Sequence, residues 1–440
     1  MAFLLKSPGT FAANTLTMTK FPLNDAAQWV EAFGAPLYVY DAKTIRGQYF
    51  RMKQAFDPSI DVDIHYACKA LNNLNILKLM RSLGAGLDAV SLGEIELGLH
   101  AGFRPDQILF TPNGVGIHEI KAAVEIGVQI NIDNLETLEE FANEFGNSVP
   151  VCVRINPHIM AGGNAKISVG HIDSKFGISI HQVRHLHRIV QNMGLHVHGL
   201  HMHTGSDILD IDAFMRGADL LMDLAHDFKE LTYIDFGSGF KVGYKPGESA
   251  TDIESFGNKM STRFKEFCLE YGRDLKLIFE PGKFLVSEAG VFITKVNSTK
   301  TTPSTVFAQV NSGFNHFPRP MMYDAYHHIE NISNPDGEQR LYTIVGYVCE
   351  TDTFGYDRKL NEVRNGDLLA FHNAGAYCSS MSSQYNSRVR PAEVLIEGDR
   401  SYLIRERETM DDLLRGTIEH GLYLDIVTQG KEEAEIAVPS

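Results

Sequence analysis

The feature that most constrains this chain is a rhythm between residues 60 and 285. Short apolar runs recur there, each closed by a polar residue or glycine and each followed by an amphipathic stretch. Eight runs fit: DIHYACKA, GLDAV, QILFTPNG, VQINIDN, VPVCVRINP, HVHGLHMHTG, TYIDFGSG and KLIFEPG. Segments between them, such as LGEIELGLHAG and IHEIKAAVEIG, place apolar residues three and four apart and end in glycine, as amphipathic helices do. Strand and helix alternating through short connections imply parallel strands with right-handed crossovers. Eight such units in roughly 225 residues are the size of a (β/α)8 TIM barrel. A doubly wound open sheet is the competing architecture.

The polar residues at the strand ends favour the barrel. Lys69, Asp88, Asn113, Asp133, Arg154, His203, Asp235 and Glu280 all fall at or just after the C-terminal end of an expected strand. Barrel enzymes assemble their sites from the βα loops of that face. Taken singly, Asn or Asp after a strand is commonly a helix N-cap, and Asn113 and Asp133 are read that way and given no role. An isolated lysine such as Lys69 is ordinarily a solvated surface charge, so its place at the mouth needs support from its neighbours.

After residue 285 the texture changes. GVFITKVNSTK, STVFAQVNSGF, RLYTIVGYVC, DLLAFHNAGAY and AEVLIEG alternate with period two and are separated by turn residues, which reads as a mainly antiparallel β domain. The expected division is a barrel over 40–285 and a second domain made of 1–39 together with 286–440. At 440 residues the chain is long enough for two cores. A net charge of −15 disfavours nucleic acid or an anionic membrane as partner and points to a small polar substrate. The five cysteines are scattered without CxxC spacing, against a disulfide framework or a metal site and in keeping with a reducing cytoplasm. MAFLLKSPGT is too short in apolar length for a signal h-region or a membrane span.

A lysine amine at a barrel mouth can form a Schiff base with a carbonyl, the more readily if burial or a nearby cation lowers its pKa. Pyridoxal phosphate is one such carbonyl. It further requires an anion cradle, a group on the ring face and a partner for the pyridine nitrogen. DFGSGF and EPGK supply glycine turns after the seventh and eighth strands, where barrels commonly bind phosphate. His203 with Ser206 follows the sixth strand, and Glu280 is the acid that would keep the ring nitrogen protonated. His198 and His201 are read as packing or solvent-facing residues.

In order, APLYVYD, YACKAL, SKFGI, HMHTGS, FEPGK, RPMMYDAYH, CET and GAYCSSMSSQYNSRVRPAEVL resemble the pyridoxal-phosphate decarboxylases of the alanine-racemase-like barrel type (fold type III) and, among these, the diaminopimelate decarboxylases. The resemblance implies pyridoxal 5'-phosphate as cofactor, with Lys69 as its covalent anchor, His203 stacked on the ring and Glu280 on the nitrogen. Ser206, Gly239, Gly282 and Lys283 would hold the phosphate, with Asp88, Arg154 and Tyr377 near the cofactor. Arg319 and Tyr323 would bind a distal substrate carboxylate, Lys283 and Tyr377 would also face substrate, and Glu350 would pair with a distal ammonium. Cys349 would donate a proton after carbon dioxide leaves. In this family the Cys–Glu segment enters the neighbouring subunit's site, so a homodimer with shared sites is implied.

Three departures stand out against that pattern. EPGK replaces the usual EPGR, so Lys283 lacks the bidentate fork of an arginine. Ser238 sits inside the glycine turn, and CETDT replaces CESGD. A carboxynorspermidine or ornithine-type decarboxylase would share Lys69, His203 and Glu280 without needing Arg319 and Tyr323. A non-catalytic cofactor carrier would lack the appended β domain, and a cofactor-free aldolase would be colourless.

Overall fold

The computed structural model describes residues 21–159 and 173–420. The N-terminal MAFLLKSPGT stretch, the rest of residues 1–20 and residues 421–440 of the expected second domain lie outside the described residues.

The first strand, β1 (Leu37–Asp41), is followed by helix Ala42–Gln54, whose N-cap Asp41 accepts from the backbone N–H groups of Lys43 and Thr44. Then come β2 (Val62–Ala67), β3 (Gly86–Ala89), β4 (Ile108–Phe110), β5 (Gln129–Ile132), β6 (Val151–Asn156), the two-residue β7 (Ile178–Ser179), β8 (Val197–Met202), β9 (Tyr233–Asp235) and β10 (Lys276–Phe279). All pairings among these are parallel, and β5 with β6 and β10 with β2 close the ring. The eight expected runs therefore form an eight-stranded barrel, with β7 an extra short strand against β6. Helices Leu92–Ala101 and Ile117–Ile126 end on left-handed glycines, Gly102 and Gly127, as their sequences predict.

Alternation along each strand sorts the side chains. In β2, Ile64 and Tyr66 pack outward under the helices, while Asp63, His65 and Ala67 face inward. Register then sets the rim: Asp88 lies beside Ala67, Arg154 beside His201, and His201 beside Asp235. A phenylalanine cluster around Phe240, Phe256 and Phe279 fills the space between the last strands and helix Ile253–Tyr271.

The second sheet comprises β11 (Gly290–Thr301), β12 (Val306–Val310), β13 (Ile329–Asn331), β14 (Gln339–Val345), β15 (Thr353–Asn361), β16 (Leu368–Phe371), β17 (Ala392–Glu397) and β18 (Arg400–Arg405), together with β1. Most pairings are antiparallel, but β1–β17 and β12–β14 are parallel. Strand β15 escapes the sequence pattern because its outer half, YDRKLN, is dominated by polar and charged residues. Its inner end, Thr353 to Gly355, is buried.

Candidate active site

At the C-terminal mouth of the barrel a cavity of about 430 Å³ is lined by Lys69, Asp88, Arg154, His203, Ser206, Gly239, Glu280, Gly282, Lys283 and Tyr377. Every cofactor-site residue expected from the sequence thus borders one space. After β2 the chain turns through a short 3-10 turn, Cys68–Ala70, which projects Lys69 across the rim to Asp88, whose carboxylate accepts from the Lys69 ammonium. Asn73 then caps the helix Leu74–Ser82. The second domain braces this turn: the Tyr377 backbone N–H donates to the Ala70 carbonyl at 2.8 Å, and Ser380 Oγ donates to the Lys69 carbonyl at 3.0 Å.

The electrostatics differ from the simple expectation of a lysine depressed by burial. Burial pushes the Lys69 amine down more than any single neighbour raises it, but Asp88, Tyr377 and Glu280 together, with the hydrogen bond to Asp88, outweigh it and hold the ammonium above its ordinary range. Asp88, almost fully buried, is itself raised by burial and by Glu280. Burial would also raise Glu280, yet the pull of His201 and Lys69 keeps its carboxyl low, so it remains an anion. Asp235 lies well above the carboxylate range through burial and the nearby Glu280 charge. Burial and the Arg154 charge push the His203 imidazole down to about 3, leaving a neutral ring. His203 Nδ1 accepts the Ser238 backbone N–H at 3.2 Å, so Ser238 within the glycine turn orients the imidazole.

His201 requires a correction. It is neither solvent-facing nor simple packing: it is 1% exposed, and its Nε2 lies 3.0 Å from Glu280 Oε2. The donor atoms of His201, Asp235 and Glu280 lie within 4.8 Å of one another. The parity signal was present, since His201 is two residues before His203 and so points to the same side of the strand. Asn113 and Asp133 are also corrected. The N-caps of the following helices are Gly116 and Asn134, whereas Asn113 Nδ2 donates to Asp133 Oδ2 at 2.6 Å and Asn113 borders the cavity. Phe176, which the sequence reading gave no role, lines the cavity with the Arg154 guanidinium 5.0 Å from its ring centroid.

A second cavity of about 500 Å³ adjoins the first and shares Ser206, Lys283 and Tyr377 with it. Arg319 and Tyr323, from the short helix Arg319–Tyr323, also line it. At the seam, Lys283 donates to Ser206 Oγ at 2.8 Å and is paired with Asp207. Burial lowers the Lys283 amine, partly offset by Asp207. Cys349 and Glu350 are elsewhere: both are exposed and neither lines these cavities. Asn386 Nδ2 lies 3.3 Å from Cys349 Sγ, and Tyr385 donates to Glu350 Oε1 at 2.8 Å. Hydrogen bonds from Asn386 and Tyr385 lower the Cys349 thiol below its ordinary value.

The mouth meets the demands of a phosphorylated pyridine aldehyde. Glu280 Oε1 and Asp88 Oδ1 are buried polar atoms without a hydrogen-bond partner among the described residues, and a ligand donor can satisfy them. Gly239 has φ +131°, and a Cβ there would lie 2.2 Å from the Gly205 carbonyl oxygen, so only glycine allows this close loop pairing.

A family model described as pyridoxal-dependent decarboxylase, pyridoxal binding domain, matches residues 42–287. The diaminopimelate decarboxylase of Methanothermobacter thermautotrophicus is 41% identical over 89% of this chain and 94% of its own. The chain belongs to the diaminopimelate decarboxylase family of pyridoxal-dependent decarboxylases. The Archaeoglobus fulgidus diaminopimelate decarboxylase is 37% identical over 88% of this chain and 93% of its own. The crystal structure of the Helicobacter pylori diaminopimelate decarboxylase complexed with L-lysine matches with a TM-score of 0.81 and 33% identity, over 89% of this chain and 98% of that one. The cofactor of the family is pyridoxal phosphate, and the barrel region that matches the family model is the one that carries Lys69, His203 and Glu280.

Proposed function

We propose that this enzyme decarboxylates meso-2,6-diaminopimelate to L-lysine and carbon dioxide, the last step of lysine biosynthesis, with pyridoxal 5'-phosphate as cofactor. The observation that carries the reading is the shared wall of the two cavities. A lysine-and-acid mouth opens through Ser206, Lys283 and Tyr377 onto a space edged by Arg319 and Tyr323. An amino acid with a second charged end has somewhere to put it.

Pyridoxal phosphate, when bound, supplies an electron sink next to the substrate carbon that loses its carboxylate. Lys69 is the covalent anchor, and Asp88 keeps it charged and oriented until it is engaged. Glu280, held anionic beside His201, would pair with the pyridine nitrogen. Neutral His203 would lie against the ring, with Arg154 flanking it. Ser206, Gly239, Gly282 and Lys283 would hold the phosphate, and Tyr377 would reach the same space from the second domain.

Arg319 and Tyr323 would receive the distal carboxylate, with Lys283 and Tyr377 on the near side. Glu350 would take the distal ammonium. A charged end left desolvated and unpaired costs at least about 1–3 kcal/mol, which gives the discrimination against shorter monocarboxylic substrates. Cys349 would return a proton to the carbon that has lost carbon dioxide. Because Cys349 and Glu350 stand outside both cavities on an exposed loop, a homodimer in which this loop completes the partner's site accounts for the arrangement. Residues 40–285 would then form the cofactor-binding unit, and 1–39 with 286–440 the unit that completes the site. Five free thiols fit a reducing cytoplasm, and among the described residues no helix is long and apolar enough to cross a membrane.

The test is release of carbon dioxide and L-lysine from meso-diaminopimelate, run against L-ornithine. Turnover of diaminopimelate supports the assignment. Turnover of ornithine alone refutes it in favour of the polyamine-precursor decarboxylases.

A further inference from the structure

His327 is fully buried, makes no contact with the cofactor cavity, and has no part in the chemistry above. Its two ring nitrogens nevertheless define a single state. Nδ1 lies 2.8 Å from the His372 carbonyl oxygen, which can only accept, so Nδ1 carries the proton. Nε2 lies 3.3 Å from Arg319 Nε, and a guanidinium can only donate, so Nε2 presents a lone pair. Both partners demand the same neutral tautomer. Burial and the Arg319 charge push this imidazole down to about 3, which keeps the ring neutral near pH 7.

Two aromatic rings pack against the imidazole. Tyr244 meets it edge-on at 5.0 Å and Phe317 at 4.6 Å between centroids. Tyr244 also lies 5.4 Å from the Arg319 guanidinium, so one aromatic ring steadies both members of the pair.

We propose that His327 is a positioning residue for the distal carboxylate: by occupying Arg319 Nε it leaves the paired Nη1 and Nη2 edge, rather than the Nε side, for the substrate. A guanidinium offers a carboxylate two different two-pronged edges, and they approach from directions well apart. Occupying Nε selects one of them before substrate arrives. The inference rests on the reading that Arg319 receives that carboxylate.

The experiment uses the holoenzyme and two amines. L-Lysine, the product, retains the distal carboxylate, whereas 1,5-diaminopentane has the same amine spacing and none. In His327→Asn the side-chain amide still reaches the His372 carbonyl, but nothing sits where Nε2 was. In His327→Gln the longer amide can bring its oxygen to that position. Inhibition constants for both amines are measured in wild type and both variants. His327→Asn is expected to weaken L-lysine by about tenfold and leave 1,5-diaminopentane within about twofold, with His327→Gln recovering most of the loss. Equal weakening of both amines, no weakening of either, or a His327→Gln variant as impaired as His327→Asn overturns the proposal. A wild-type enzyme that does not turn over meso-diaminopimelate refutes the proposed function instead, so the two failures are separable.

Discussion

Lys69, the proposed cofactor anchor, and Cys349, the proposed proton donor, would serve one reaction, yet the chain treats them oppositely. Lys69 springs from a turn clamped on both sides, by Asp88 across the rim and by Tyr377 and Ser380 from the second domain. Cys349 sits on an exposed loop, and its thiol is touched by Asn386 and Tyr385 at 3.3–3.6 Å. That loop's buried anchor is Asp352, which accepts the Phe314 N–H at 2.7 Å and the Val348 N–H at 3.4 Å. The difference teaches where the chain ends as a functional unit. On the proposed reading, cofactor binding would be built and braced within one chain, whereas protonation would be left to a surface that a second copy completes.

The largest effect expected on the braced side is from Lys69→Ala. It should lower turnover by at least about 10⁴-fold, some 5.5 kcal/mol of transition-state stabilisation, and abolish the cofactor's covalent attachment. A steady-state assay with meso-diaminopimelate checks it. On the loop side, Cys349→Ala should cost roughly 10²–10⁴-fold in kcat with the cofactor still attached, as loss of a proton donor does. Mixing the two inactive variants sharpens the contrast. In a twofold dimer with shared sites, random exchange should restore about a quarter of wild-type activity, because each mixed dimer carries one intact site. Complementation that never exceeds background would place Lys69 and Cys349 in the same subunit's site.

Within the barrel, Glu280→Gln should keep the shape of the mouth but remove the anion beside His201. A fall in kcat of roughly a hundredfold, about 2.7 kcal/mol, is expected, read with wild-type cofactor content as control. The last effect leaves turnover aside and concerns the stability of the loop's anchor. Burial pushes the Asp352 carboxyl up to about 6, only partly offset by its bonds from Phe314 and Val348. Because its folded pKa lies above the unfolded value, its protonated form favours the folded state. The stabilisation is complete below about pH 4 and is lost as pH rises through 6. Asp352→Asn should remove that fall, leaving the variant more stable at pH 7 by up to about 3 kcal/mol. Melting temperatures at pH 4, 5, 6 and 7 check the sign.

The barrel was readable because each of its strands is a short apolar run with a polar stop, and the ring geometry turns those stops into one mouth. Lys69, Asp88, Arg154, His203 and Glu280 are that pattern. What stayed hidden depends on pairing across the ring. His201 looked like one of several alternating histidines, and only the register beside Asp235 and the approach to Glu280 make it part of the floor. Asn113 and Asp133 looked like helix caps because the caps proper, Gly116 and Asn134, lie only one to three residues further on. The Arg319–His327 bond joins residues eight apart through a turn, a spacing that carries no periodic signal. Strand β15 was lost to its largely exposed, charged outer half, which pairs with β14 without an apolar alternation of its own.

On the proposed function, Lys69 alone tethers the aldehyde cofactor at the barrel mouth. Borohydride reduction of the purified holoenzyme followed by peptide mapping tests it most directly. One pyridoxyl-modified peptide, carrying the label on Lys69, is expected, and a label on Lys283 or any other lysine, with Lys69 unmodified, would overturn the assignment.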